Sequence, residues 1–596
     1  MCYTPSRAAS APPLRRRGGR GVRLYQSIMS AIPQQLSEVE HVKTASRYLR
    51  GTIVESLRNR LTGALNPDDT HLIKFHGSYQ QTDRDLDSER KRQKLEPLFS
   101  FMIRVRVPGG VATAAQWQRM DALADAYGNG TLKLTTRQTF QLHGVLKRDL
   151  RPSIQGFNDS LLDSIAGCGD VNRNVMCNVN PHESAVHAGV QATARAISAH
   201  LTPRTTAYHE IWLDGELQNT TEAPDDAEPI YGQTYLPRKF KIALALPPYN
   251  DSDIFSNDIG LIAVEENGRL LGYNVAVGGG LGMTFGLPET YPRLADLLGF
   301  VPAENVVDVC EKIVTIQRDW GNRANRKLSR LKYTIDRAGL PAFVAELHQR
   351  LGYELSATRP YQFHSSSDAF GWTSGPNALS HLVLFVEGGR VLDRPGYRLK
   401  AALREICGFH TGEFRLTGNQ NLLLANIEPA HCARVQAVLE AHGAAPKAEQ
   451  LTALRRNALA CVALPTCSQA FAEAERYLPQ LLDKLDAVIR AHGLAEAGIL
   501  IRMTGCPNGC ARPYLGEIGL VGKAPGRYNL YLGANHAGER LNKLYREMLD
   551  EDGILRELAP LLAAYAAHRQ PAEGFGDFVV RTGVVPATRH GLDFHA

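Results

Sequence analysis

Two close pairs of cysteines constrain this chain more than any other feature. Cys461 and Cys467 stand in LACVALPTC, and Cys506 and Cys510 stand in MTGCPNGCARPY, so a C-x5-C and a C-x3-C lie 38 residues apart. Any fold that uses the four thiols as a set must bring Ala460 and Arg512 into one neighbourhood. Thiolates bind soft iron far better than carboxylates do, and an iron–sulfur cubane takes four of them. Gly505, Pro507 and Gly509 suit a loop that wraps such a centre, because glycine permits close backbone approach and proline stiffens a turn. Disulfides are a weaker reading, since the other six cysteines are scattered and no secretory signal stands out. Structural zinc prefers tighter pairs than C-x5-C. Buried inert thiols are the third alternative.

The net charge of +6 does not mark a nucleic-acid binder. Residues 1–28 hold six Arg and no acid, and the rest balances 61 basic against 61 acidic side chains. That leader reads as a transit peptide, a disordered arm or upstream sequence ahead of a start at Met29, and the last is preferred. No run of 18 apolar residues occurs, so no membrane span is expected. Few cysteines and no signal point to a reducing cytoplasm.

The chain reads as helix over 36–62, with acids early and bases late. A polar, irregular arm follows to residue 97. Phe101–Val107 alternates and stops at PGG, Ala114–Tyr127 is helical, and Leu132–Val145 is strand-like. The unit recurs: His381–Val386 stops at EGG, Ala401–Cys407 is helical, and Phe414–Ile427 repeats LTTRQ as LTGNQ. Leu134 to Leu416 is 282 residues and Gly109 to Gly388 is 279. A second unit follows each, and Cys177 aligns with Cys461. Each second unit closes on a Gly-rich strand and a long helix, in ANRKLSRLKYTIDRAGL and in ERLNKLYREMLDED. Such a long period is a duplication, not a solenoid.

The expected fold is therefore α+β. Duplicated ferredoxin-like and larger units are arranged in three domains about a pseudo-twofold axis. The boundaries are a leader 1–28, an arm 29–98, paired halves 99–165 and 360–440, a first repeat 166–359 and a second repeat 441–596. The second repeat carries the four cysteines. The first places TYLPRKFK (234–241) near the counterpart of CPNGC, which sets a cationic wall against a metal–sulfur wall. The candidate cations are Arg104 and Arg106 on one face of a strand, Lys133, Arg137, Arg173, Arg238, Lys239 and Lys241. Taken singly, each is more often a surface charge. Arg104 and Arg106 rise above that reading because a buried-face pair needs an anion or a carboxylate.

HGSYQQ, KLEP, RQTFQ-HG, NRNV-C, EIWLD, GQTYLPRKFK, VGGGL, QRDWGNR, LTGNQN, TGCPNGC, VGKAPGRYNLYLG and EGFGDF together carry a family resemblance from about Val42 to about Val585. The chain resembles the haemoproteins of assimilatory NADPH-dependent sulfite reductases, within the sulfite/nitrite reductase family. That resemblance implies sirohaem and a 4Fe–4S cluster. Cys461, Cys467, Cys506 and Cys510 would be the cluster ligands, with Cys510 also axial to the sirohaem iron. Arg104, Arg173, Lys239 and Lys241 would bind sulfite and deliver protons. Arg137 and Arg238 would meet sirohaem carboxylates. Lys133 stands where an Arg is expected, which keeps the charge but loses the fork. The implied reaction is reduction of sulfite to sulfide on the route to cysteine, with nitrite reduction to ammonium as the alternative. A zinc-bound assembly subunit is the reading from another class. No G-x-G-x-x-G dinucleotide loop is found, so NADPH would act only through a flavoprotein alpha subunit in a hetero-oligomer, and the arm is the expected docking surface. No nucleic-acid or membrane partner is expected.

Overall fold

A computed structural model describes residues 35–179, 184–214, 228–445, 451–588 and 590–595; the basic leader lies outside them. Two five-stranded antiparallel sheets form the centre. The first runs β1–β2–β5–β4–β12, with β1 Ser78–Thr82, β2 Phe99–Val105, β4 Leu132–Leu134, β5 Phe140–Val145 and β12 Arg390–Val391. The second runs β10–β11–β16–β15–β3, with β3 Val111–Thr113, β10 Gly371–Ser374, β11 Ser380–Leu384, β15 Glu413–Leu416 and β16 Leu422–Ile427. A short ribbon, β13 Asp393–Arg394 with β14 Tyr397–Arg398, leads from β12 to the helix Leu399–Ile406.

The two halves exchange an edge strand. β12 pairs with β4 through Arg390 and Lys133, and β3 pairs with β15 through Thr113 and Glu413. Trp117, on a helix opened by a Thr113–Gln116 capping box, packs against Phe140 of one half and Phe414 of the other. The sequence predicts single strands over 132–145 and 414–427. Each is instead a hairpin, because TTRQT and TGNQN are polar turns whose Gln138 and Gln420 take positive φ.

The two larger repeats each hold a mixed sheet. The first runs β6 (Ile242–Ala245), β7 (Ile259–Glu266), β8 (Arg269–Val277) and β9 (Asp296–Pro302). The second runs β17 (Leu459–Ala460), β18 (Ile501–Thr504), β19 (Ile518–Ala524), β20 (Arg527–Leu532) and β21 (Lys543–Leu549). β6 lies parallel to β7 and β18 parallel to β19, and in both the neighbour is joined antiparallel by the following strand. One offset carries Ile242 onto Ile501, Asp253 onto Arg512 and Ile259 onto Ile518. Asp253 and Arg512 both take left-handed backbone angles ahead of short 3-10 turns. They meet as an ion pair of 2.5 Å, with Arg502 at 2.7 Å from the same carboxylate. Equivalent positions that touch each other mark the pseudo-twofold axis.

Three expectations are corrected here. ERLNKLYREMLDED is not a long helix: Lys543–Leu549 is the edge strand β21, and the helix begins at Glu551. Similarly, ANRKLSRLKYTIDRAGL is helical in its second half, from Leu331 to Ala338, after a 3-10 turn at Arg326–Leu328. Cys177 does not align with Cys461. Met176 bridges Ala243 just as Leu459 pairs with Arg502, so the counterpart of Cys177 is Ala460. The same hydrogen bond marks both: Gln138 Oε1 accepts from Cys177 N at 3.1 Å, and Gln420 Oε1 accepts from Ala460 N at 3.3 Å.

The arm is not one helix over 36–62. Arg47, Tyr48 and Leu49 take positive φ between the helices Glu38–Ala45 and Ile53–Arg58. Nor is it detachable. Its β1 extends the first sheet, and Lys43, fully buried, binds Glu40 Oε1 (2.5 Å) and Leu236 O (2.8 Å). Arg323 bridges Glu40 (2.5 Å) to Tyr235 O (2.6 Å). The arm thus braces the segment just ahead of Arg238–Lys241. Among the described residues no helix is long and apolar enough to cross a membrane.

Candidate functional site

Two loops of the second repeat bring the four predicted thiols together. Cys461 leaves β17 with its N–H on Met503 O, and its Sγ accepts from Gly505 N at 3.4 Å. Cys467 closes a turn on Ala463 O. Cys506 Sγ accepts from Asn508, whose Nδ2 lies 3.6 Å away. Gly505 is required by close approach, since a Cβ there would lie 2.5 Å from Ala472 O, and Gly509 takes φ +66°. The loops are tied by Phe471 N and Ala472 N donating to Gly505 O.

Burial raises the Cys461 thiol well above its ordinary range, and Cys510, Cys506 and Cys467 raise it further. Burial and Cys510 likewise raise Cys467, and they push Cys506 up to about 12. Buried thiols raised in this way call for a cationic centre. The described residues contain no three His, Cys, Asp or Glu gathered closely enough for one metal ion. Four soft thiols on two glycine-bounded loops fit a cubane, each of whose irons takes one thiolate. Thr504 Oγ1 and Thr466 Oγ1, beside Cys506 and Cys467, are buried without a hydrogen-bond partner, as donors to cluster sulfur would be.

Across from Cys510 stands a group of cations. Arg173 is buried, and its Nε and Nη1 donate to Gly169 O (2.8 Å) and Gly167 O (3.3 Å). Arg104 Nη1 reaches the same Gly167 O at 3.4 Å and Cys168 Sγ at 3.1 Å. Burial, with repulsion from Arg238 and Arg330, brings the Lys239 ammonium down to about 7; Cys510 pulls the other way. Burial and the repulsion of Lys239, Arg137 and Arg330 push Lys241 well down, again against Cys510. The predicted basic wall and the predicted cysteine therefore share one site. They do not share a position in the repeat: RKFK precedes β6, whereas GCPNGC follows β18, whose counterpart is the loop 246–253. The pseudo-twofold turns the entry of one strand toward the exit of the other. Uncompensated, part-buried ammonium and guanidinium groups fit a polycarboxylate macrocycle and an oxyanion.

The other predicted cations have partners within the protein. Arg106 is spent on Asp163 (2.6 Å). Lys133 is buried against Glu475 (2.7 Å), which also holds Arg390 (2.7 Å), behind Cys461 rather than facing the site. Burial brings Arg137 down to about 9, and its donors go to Asn174 O, Ile242 O and Asn257 Oδ1 at 2.6–3.1 Å. Most N–H groups of Lys133 and Arg137 are thus taken up within the protein. Arg238 lies 4.0 Å from Asp170 and is brought down to about 10 by burial.

Sequence reasoning missed the acids that hold this wall. Asp170 gathers Arg326 (2.7 Å), Lys43 (3.9 Å) and Arg238; burial opposes its charge, but the cations outweigh that and hold it to about 2. Asp258 clamps Arg330 at 2.8 Å and accepts from Lys241 N at 2.9 Å. Asp170 lies three residues before Arg173, a local signal; Asp258 carries none.

Comparison with known proteins yields a consistent set. Residues 93–159 and 375–442 match the nitrite/sulfite reductase ferredoxin-like half domain, and 192–355 match the nitrite and sulphite reductase 4Fe-4S domain. A Staphylococcus epidermidis protein named Sulfite reductase (NADPH) hemoprotein beta-component is 55% identical over 569 residues, 96% of this chain and 99% of its own. One of the same name from Myxococcus xanthus is 57% identical over 559 residues, 94% and 99% of the two chains. The solved Mycobacterium tuberculosis NirA protein shares the fold at a TM-score of 0.74 and 21% identity, covering 94% of this chain and 98% of that one.

Proposed function

This chain belongs to the nitrite and sulphite reductase family, and from that premise we propose that it reduces sulfite to sulfide. Cys461, Cys467, Cys506 and Cys510 would hold a 4Fe–4S cluster, Cys510 would also hold sirohaem, and Arg238 would offset a sirohaem carboxylate. When bound, the coupled cluster and sirohaem supply the electrons for the six-electron reduction.

The chain's own residues supply the rest. Arg104 and Arg173 grip the anion's oxygens and offset its charge. Lys239 Nζ and Lys241 Nζ hand protons to oxygens as they leave as water. A lysine near neutrality is a better donor than one at its ordinary value, because the proton is held less tightly. Reloading each ammonium from solvent completes the proton path. The observation that supports this reading is that Arg104 and Arg173 share Gly167 O, that Arg173 lies close enough to repel Lys239, and that Lys239 and Lys241 both feel the charge of Cys510.

Electrons come from an NADPH-oxidising flavoprotein in the cytoplasm, in the sulfide-forming step that feeds cysteine. It docks on part of the arm, at residues 86–98. Leu86, Leu95 and Leu98 are exposed there among Arg90, Lys91, Arg92 and Lys94. The patch is wired to the cysteines: Arg84 N donates to Pro465 O (3.3 Å), and its Nη1 donates to Ala470 O (2.7 Å) and Cys467 O (3.4 Å). Four basic side chains against Asp87, Glu89 and Glu96 leave a slight positive excess around these apolar anchors, which favours an acidic redox partner.

The test is anaerobic turnover with a reduced viologen, with sulfite and nitrite in parallel. A higher kcat/KM for sulfite, with sulfide as product, supports the proposal. A preference for nitrite moves the chain to nitrite reduction.

A further inference from the structure

RQTFQLHG holds two residues that the proposed chemistry leaves unused, Gln141 and His143. Gln141 sits directly across the β2–β5 ladder from Arg104, so their side chains share a face. Its amide satisfies both neighbours in one orientation. Oε1 accepts from Arg104 Nη2 at 2.5 Å and from Nε at 2.9 Å, while Nε2 donates to His143 Nε2 at 3.2 Å. The reverse orientation sets an NH2 group against a guanidinium.

Three links follow from that geometry. His143 is fully enclosed beside Lys133, Arg390, Glu475 and Arg104, and burial with the nearby Arg390 holds it neutral. A neutral ring whose Nε2 accepts carries its proton on Nδ1. The two Arg104 N–H groups require Oε1 on their side, which turns the Gln141 amide nitrogen toward His143 and selects that tautomer. Both Nη1 hydrogens of Arg104 go to Gly167 O and Cys168 Sγ, and Nε with one Nη2 hydrogen goes to Gln141. A single Nη2 hydrogen remains, aimed by four fixed bonds.

We propose that Gln141, held by His143, is the positioning residue that fixes the Arg104 fork for the substrate oxyanion without neutralising it. The proposal rests on the functional reading above, in which Arg104 grips sulfite. A neutral acceptor is needed: a carboxylate at the same place would fix the fork but cancel its charge. His143 acts only through Gln141, so the two cannot contribute independently.

The test uses the holoprotein and two readouts: the dissociation constant for sulfite, from the change it causes in the visible spectrum, and viologen-driven turnover. Gln141→Leu is expected to raise both the dissociation constant and KM for sulfite about tenfold, with kcat lowered less than about threefold, since a loosened fork weakens grip more than proton delivery. His143→Phe should shift them in the same direction by less, and the double variant should be no worse than Gln141→Leu. Gln141→Glu, isosteric and compatible with the same packing, should also raise the dissociation constant. Unchanged sulfite binding in Gln141→Leu or Gln141→Glu, or additive effects in the double variant, would overturn the proposal. A wild-type holoprotein that binds nitrite but not sulfite would instead overturn the functional reading.

Discussion

At the scale of single residues, what matters is how many partners each charge finds. Lys239 is buried and faces Arg238, Arg330 and Arg173, which is why its ammonium falls to about 7. Between that value and the ordinary 10.5 the unfolded chain binds the proton that the folded chain has lost. Stability of the cofactor-free protein should therefore rise as pH goes from about 7 to about 10. Lys239→Met should flatten that rise, raise the melting temperature near pH 7, and cut sulfite turnover about a hundredfold. Thermal unfolding across that range checks the first two, and the viologen assay the third. The two cysteine classes should also part. Cys177 is enclosed, pushed up to about 12 by burial, and is the counterpart of Ala460 in the other repeat. Cys177→Ala should keep iron content and visible spectrum at a cost of about 1 kcal/mol. Cys461→Ala should lose both, and iron assay with absorption spectra separates the outcomes.

At the scale of elements, the exchanged strands decide whether the two halves form one body. β12 brings Arg390 alongside Lys133, and the two cations share Glu475 from the cysteine-bearing repeat. Burial works against that carboxylate, but Lys133 and Arg390 outweigh it and hold it to about 2. Glu475→Gln leaves two buried cations with no counter-charge, which should cost about 3 kcal/mol. Urea unfolding measures it. The wild type should lose the same contribution as pH falls from about 4.5 to about 2, because the depressed carboxylate must take up its proton. Residue 133 thus acts as a brace behind Cys461, and the shift from fork to ammonium at that place does not touch the substrate side.

At the scale of the molecule, the arm has two faces with different work. Its inner face, with Lys43 and Glu40, supports Tyr235–Leu236, so removing all of residues 36–97 would collapse the site rather than report on docking. Its outer stretch, 86–98, buries no side chain in the helix Asp87–Arg92 and can be changed without loss of packing. Lys91→Glu, Arg92→Glu and Lys94→Glu together should lower flavoprotein-driven turnover about tenfold, more at low salt than at high, while viologen-driven turnover stays unchanged. Equal loss with both donors would remove the patch as the docking surface.

By itself the sequence determined the α+β duplication, the two cysteine pairs and the basic run before β6, because these are local patterns: alternation, spacing and composition. The helix Ala114–Tyr127 and a strand at Phe101–Val107, found two residues earlier at Phe99–Val105, were legible for the same reason. ERLNKLYREMLDED misled because an exposed edge strand carries helix-favouring Lys, Leu, Arg and Glu, and pairing with β20 overrides propensity. Only the tertiary structure decided the pairing of Met176 with Ala243 and of Leu459 with Arg502 that makes Cys177 the counterpart of Ala460, the turn of strand entry toward strand exit that joins RKFK to Cys510, and which cations are spent on Asp163 and Glu475. Each of those is a contact between segments far apart in the chain, and burial and pairing there are fixed by packing, which no local pattern encodes.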